Sequence, residues 1–178
     1  MYKQVLTFWF DELQPKQWWI KDPDLDRLIT DRFAALHNQA ARGELYFWRG
    51  QAQGRLAEII ILDQFSRNMY RDSPLSFACD AQALALAQEA VSVGADKRLT
   101  QMERNFLYMP FMHSESPVIH EIALELFSRN GIETSYAYEV RHKEIIDEFG
   151  RYPHRNAVLG RESTAAEIAF LEQPGSTF

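Results

Sequence analysis

Ile59-Ile60-Ile61-Leu62-Asp63-Gln64-Phe65-Ser66-Arg67-Asn68-Met69-Tyr70-Arg71 is the stretch that decides how the chain folds. At 100° per residue, Leu56, Ile59, Ile60, Ile61, Leu62, Phe65 and Met69 surround nearly the whole circumference of a helix predicted over about 53–70. A helix that is apolar on all sides lies at the centre of a core. Two charges interrupt it. Asp63 falls between Ile59 and Ile60, Arg67 falls one turn further along the same face, and Arg71 continues the line. A lone buried carboxylate or guanidinium is too costly, so each needs a partner. Their i, i+4 spacing lets Asp63 and Arg67 serve one another.

Helical signals extend from this segment in both directions. Upstream, residues from about 2 to 10 carry Val5, Leu6, Phe8, Trp9 and Phe10 on a short apolar helix. Asp22-Pro23 pairs a capping side chain with a first-turn proline. Leu25, Leu28, Ile29, Phe33, Leu36 and Ala40 then follow the 3, 4 spacing to a stop at Gly43. Downstream, Asp72-Ser73-Pro74 breaks the chain and a helix is predicted over about 75–93. Thr100-x-x-Glu103 has the capping-box spacing for a helix over about 101–112. Pro110 lies inside that helix and is expected to kink or end it, freeing a carbonyl near residue 106. Ser116-Pro117 opens a helix closed by Asn130-Gly131, and the next, about 134–149, is closed by Gly150. Thr164-x-x-Glu167 caps a last helix over about 165–172, and the tail from Pro174 to Phe178 is expected to fray.

No segment alternates as a strand does. The fold class is therefore all-α: one domain over 1–178, with about eight helices in antiparallel hairpins, as a bundle or a short solenoid. No strict 34-residue tetratricopeptide repeat is present, though a degenerate version fits pairs near 53–94, 100–130 and 134–172. A chain of 178 residues buries about 70 % of its unfolded surface and needs neither disulfides nor metal to hold a core.

Composition excludes whole classes of function. The net charge is −6, which argues against general binding to nucleic acid or to an anionic membrane. The longest aliphatic run, Ile59 to Leu62, is far short of the ~18 residues of a membrane span. Cys79 is the single cysteine, and it sits on an Ala-rich helix as a small hydrophobe. The first residues lack an apolar signal-peptide core, so the expected location is cytoplasmic. Of the 19 basic residues 14 are Arg, the side chain of bidentate carboxylate and phosphate pairing. Trp9, Trp18, Trp19 and Trp48 read as core or as a shielding flap, with an apolar interface as the alternative.

Polar residues on apolar faces mark the candidate site. Arg104 lies on the strip of Leu107, Tyr108 and Phe111, with Asp63 or Glu115 as its expected partner, and His113-Ser114-Glu115 follows directly. His142 lies among Tyr138, Ile145, Ile146 and Phe149, and His120 among Ala123, Leu124 and Phe127. From Phe149 to Arg161 the chain carries Arg151, His154, Arg155 and Arg161 and no acid, and then meets the capped start of the last helix. Helix N-termini and arginine forks both favour anions. Each signal has a structural counterpart: a register-fixing ion pair at Asp63 and Arg67, a satisfied core histidine at His142, a loop stapling helix ends at 151–156. Glu139 and His142 have the Glu-x-x-His spacing of di-iron bundles, but the second motif that architecture needs is missing. No metal or cofactor is expected, and there is no Gly-rich phosphate loop and no Gly-x-Ser-x-Gly elbow.

Three stretches carry a family resemblance: Ile61 through Arg71, Phe106-Leu107-Tyr108-Met109-Pro110-Phe111-Met112-His113-Ser114-Glu115, and Phe149 through Asn156 continuing to Leu159-Gly160-Arg161-Glu162-Ser163-Thr164. With Phe8-Trp9-Phe10 and Trp18-Trp19, they resemble the bacterial domain of unknown function 924 family over essentially the whole chain. That resemblance implies an all-helical, tetratricopeptide-like fold and supplies no activity. At His120 the chain departs from the family pattern, which has Gln.

Three functions compete. In the first, Asp63, Arg67, Asn68, Arg71, Arg104, His113, Glu115, His142, Arg151, His154, Arg155 and Asn156 gather around a pocket for a small anionic ligand, phosphorylated or carboxylated. In the second, the same pocket is an enzyme's: His142 or His154 is the general acid/base, Asp63 orients it, and the arginines stabilise developing charge. In the third, the helical hairpins are a scaffold for a protein partner and the polar motifs only hold helices together.

Overall fold

In the structure, a computed structural model that describes residues 1–176, the central apolar rod runs from Ala52 to Met69 but changes pitch on the way. An α-helical part, α3 (Ala52–Ile60), passes into a π-helical turn, Ile61–Phe65, and then into α4 (Ser66–Met69). The wider π-turn holds Asp63 and keeps all five of its residues buried. Such turns cost regular hydrogen bonding and are common at functional sites. The first helix behaves alike: α1 (Tyr2–Leu6) continues as the π-helical turn Thr7–Glu12.

The remaining helices follow the capping signals. Asp22 accepts from the amides of Asp24 and Leu25 to start α2 (Pro23–Ala41). Both capping boxes form, starting α6 (Gln101–Met112) and α9 (Ala165–Leu171). Between them lie α7 (Pro117–Asn130) and α8 (Glu133–Phe149), closed by left-handed Gly131 and Gly150. Pro110 does not end its helix, and α6 runs two residues past it. The segment predicted as one helix over 75–93 is two pieces. A 3-10 turn, Pro74–Phe77, precedes α5 (Asp80–Ser92). The break places Asp80 in a helix's first turn, where the dipole favours a carboxylate.

Packing is sequential. α1 and α2 flank the central rod, α5 joins α3 to α6, and α6, α7 and α8 pack in turn. Gly54 lies so close to the Trp48 carbonyl that a Cβ there would approach its oxygen to 2.1 Å, which ties α3 to the preceding turn. The large core runs from Val5 to Phe127, and a small second cluster of Ile145, Ile146 and Tyr152 serves α8 and α9. Trp9 and Trp48 are buried, and exposed Trp19 stacks on Phe106 as a cover. The tail does not fray where it is described: Arg141 donates to the Gly175 carbonyl and Ser176 is buried. Residues 177 and 178 lie outside the described residues. Among the described residues no helix is long and apolar enough to cross a membrane.

Candidate functional site

Three stretches far apart in sequence meet at the π-turn. Asp63, 1 % exposed, accepts from Gln64 Nε2 at 2.6 Å and lies 2.7 Å from Nδ1 of His113 at the end of α6. Arg67 donates to the Asp63 carbonyl at 2.8 Å and lies 3.1 Å from its carboxylate. The same guanidinium then grips both oxygens of Asp80, each at 3.0 Å. So the expected Asp63–Arg67 pair exists, and Arg67 also bridges to a second acid. Burial works against ionising Asp63, but Arg67, His113 and Gln64 hold its carboxyl well below the usual range.

Arg155 joins this cluster from the 3-10 turn Pro153–Arg155. Its NH2 donates to the His113 carbonyl at 3.0 Å, and its NH1 reaches Asp80 at only 3.4 Å. The guanidinium is sandwiched between Phe77 and Tyr152, 4.6 and 4.5 Å from the ring centres. Its Nε is buried without a hydrogen-bond partner. Burial and the neighbouring Arg67 pull its pKa down to about 10. This is a cation whose counter-charge is already committed elsewhere.

Tyr152 is the hub beneath it. The Tyr152 hydroxyl donates to the Met112 carbonyl at 2.5 Å and lies 3.1 Å from His120 Nε2. His120 Nε2 also lies 2.8 Å from the Ser114 carbonyl, which can only accept, so that nitrogen carries hydrogen. His120 Nδ1 meets Glu139 at 2.7 Å, and burial pushes the Glu139 carboxyl above its usual range. The His142 and His154 rings both pack against Tyr152. Burial lowers His142 to about 3 and His154 to about 4, so both are neutral at pH 7.

Asp63 orients His113, not His142 or His154 as expected. The structure brings Asp63, Arg67, His113 and Arg155 together, while the His142 and His154 rings lie against Tyr152. The other candidates bind elsewhere. Asn68 and Arg71 both grip Asp26 on α2, because the helix ends at Met69 and Arg71 leaves its line. Arg104 takes Asn130 and the Leu99 carbonyl, neither Asp63 nor Glu115. Glu115 is held by both guanidinium arms of Arg161 and accepts from the Tyr152 amide. Asn156 joins Ser163 and Arg161. Arg151 pairs with Glu167, whose carboxylate already caps the start of α9. That helix end therefore holds its own acid, contrary to the expected anion site there.

Asp80, Phe77 and Tyr152 belong to the cluster and were missed by sequence reasoning. An acid opening the Ala-rich run 80–92 was the available signal for Asp80. Nothing in the spacing marks Phe77 or Tyr152 as an arginine's stacking partner. The cluster opens to solvent narrowly: Arg67 is 21 % exposed, His113 15 % and Arg155 8 %. Two clefts lie away from it. One of about 490 Å³ separates α8 from α9 and the tail, and one of about 660 Å³ lies between α1 and the start of α6.

Against known proteins, residues 5–175 match the family described as bacterial protein of unknown function (DUF924). The solved structure of a protein of unknown function from Agrobacterium tumefaciens is 35 % identical, covers 97 % of each chain and superposes with a TM-score of 0.92. No curated protein matches.

Proposed function

The chain belongs to the DUF924 family of bacterial proteins, and we propose that it binds a small anion, a phosphate or carboxylate group, where Arg67 and Arg155 meet His113. The buried, unpartnered Nε of Arg155 carries this reading. A buried donor without an acceptor costs free energy that a ligand oxygen would recover. Asp80 is a poor substitute, since both its oxygens are already bound to Arg67. Stacking on Phe77 and Tyr152 fixes the guanidinium plane, which favours forked recognition of a planar or tetrahedral anion. The narrow exposure of the cluster suits a metabolite-sized ligand rather than a peptide. On this reading the protein works in the cytoplasm, in keeping with its single cysteine.

Thermal unfolding with inorganic phosphate tests the reading. At a hundred times its dissociation constant a ligand stabilises by about 2.7 kcal/mol, or roughly 5–11 °C for a chain of this size. Arg155→Met removes the donors and should abolish the shift. Asp80→Asn keeps the shape, removes a competing charge, and should strengthen phosphate binding. A shift that persists in Arg155→Met, or its absence from the unaltered protein, rules the site out.

A further inference from the structure

One atom of the cluster has no structural use. His113 Nδ1 faces the Asp63 carboxylate, which can only accept, so Nδ1 carries the ring's hydrogen and donates. Burial and the charge of Arg67 push His113 below its ordinary value, which favours the neutral ring. In a neutral ring with hydrogen on Nδ1, Nε2 is a lone-pair acceptor. That nitrogen has no hydrogen-bond partner among the described residues, and it is not one of the enclosed orphaned atoms. The ring keeps 15 % of its surface exposed. Arg155 NH2 binds the main-chain carbonyl of this same residue, so the unused donor and the unused acceptor belong to residues in contact.

We propose that Nε2 of His113 accepts a hydrogen bond from a hydroxyl on the ligand whose anionic group Arg155 holds, so that the site takes a hydroxylated anion, such as a sugar phosphate or a hydroxy acid. This rests on the anion reading above and narrows it. Asp63 is the positioning residue: it pins Nδ1 and thereby fixes which nitrogen presents a lone pair. A bare anion leaves Nε2 facing water, whereas an anion with a nearby hydroxyl satisfies both orphaned groups. The hydroxyl of Ser66 and the thiol of Cys79 are both withheld from a covalent step. Ser66 donates its hydroxyl to the Leu62 carbonyl in the core, and burial pushes the Cys79 thiol up.

Calorimetric titration of the full chain with matched pairs tests this: glycerol 3-phosphate against propyl phosphate, and lactate against propionate. The hydroxylated member should bind about 5–10-fold tighter, the worth of one added hydrogen bond. The preference should vanish in His113→Phe and return in part in His113→Gln, which offers both a donor and an acceptor. Nitrogen-15 shifts of the ring should show hydrogen on Nδ1, lose that fixed tautomer in Asp63→Asn, and move at Nε2 when glycerol 3-phosphate binds. Equal binding within both pairs, an Nε2 unmoved by glycerol 3-phosphate, or a preference that survives in folded His113→Phe overturns the inference. If inorganic phosphate still binds in those cases, the anion reading stands alone. If no anion binds, both fall.

Discussion

Around Phe8, Trp9, Phe33, Phe65 and Phe106 the fold is packed ring against ring, with centroids 4.9–6.0 Å apart. Around Tyr152, from Ser114 to Glu167, it is tied instead by Glu115–Arg161, Arg151–Glu167 and His120–Glu139. The first region gains from non-directional burial and tolerates no loss of volume. The second gains from directed bonds, each of which depends on protonation and geometry. The candidate site lies on the seam, with Asp63 on the apolar rod, Asp80 at the start of α5 and Arg155 on the polar turn. The apolar side supplies the rigidity that holds Asp63, and the polar side supplies the groups a ligand can address.

The strongest way to break the comparison is to hollow out the apolar region. Phe33, buried against Phe8 and Phe65, lies far in sequence from every site residue. Phe33→Ala should cost about 3–5 kcal/mol, by lost transfer energy and the cavity left behind. Denaturant unfolding followed by tryptophan fluorescence would measure it. A loss under about 1 kcal/mol would mean that the ring cluster is not the mechanical base assigned to it.

Acid should act on the other side. His142 is held near 3 and His154 near 4 by burial, while unfolded histidine titrates near 6.5. As pH falls through that window the unfolded chain takes up protons and the native one does not, so stability drops. For His142 the loss is on the order of 2 kcal/mol between pH 7 and pH 5. Glu167, held at about 2 by Arg151, contributes stability above its unfolded value, which is lost as pH falls toward 2. The apolar side has one buried ring of this kind, His37, shifted the same way. Hydrogen exchange, corrected for intrinsic rates, should therefore show α8 and α9 opening at pH 5 before α2 and α3. Since every tryptophan lies at or before Trp48, fluorescence should lag behind. Simultaneous opening of both regions would dissolve the distinction.

The same divide decides what was legible in the sequence. Periodicity and caps report burial and helix ends, so the rods, the capping boxes at Thr100 and Thr164, and the central position of 53–70 could be read directly. The family could also be read, from Ile61–Arg71 and its two companion stretches. Pairing could not. Arg71 and Arg104 sit on sensible helical faces, yet their partners, Asp26 and Asn130, are fixed by tertiary approach. The π-turn leaves no mark on a 100° wheel, and the break at Ala78–Cys79, hidden in an apolar run, concealed Asp80. His113 was a candidate, but its tautomer depends on Asp63, fifty residues away.

The smallest expected effect probes the seam itself. Tyr152→Phe keeps the ring on which Arg155 stacks and removes only the hydroxyl. The Met112 carbonyl at the end of α6 then loses its donor, and His120 Nε2 keeps Ser114 alone. The cost should be about 1–2 kcal/mol, the range for one buried acceptor left short of a partner. It should appear as faster exchange in the last turn of α6 and the start of α7, with α2 unchanged. Phosphate binding should persist, because the ring, Arg155 and His113 remain. If stability falls by no more than a few tenths of a kcal/mol, water replaces the hydroxyl and the seam is wetter than a dry hub allows. If phosphate binding disappears with stability intact, the hydroxyl itself is a ligand group, and the boundary of the site moves one residue deeper into the polar region.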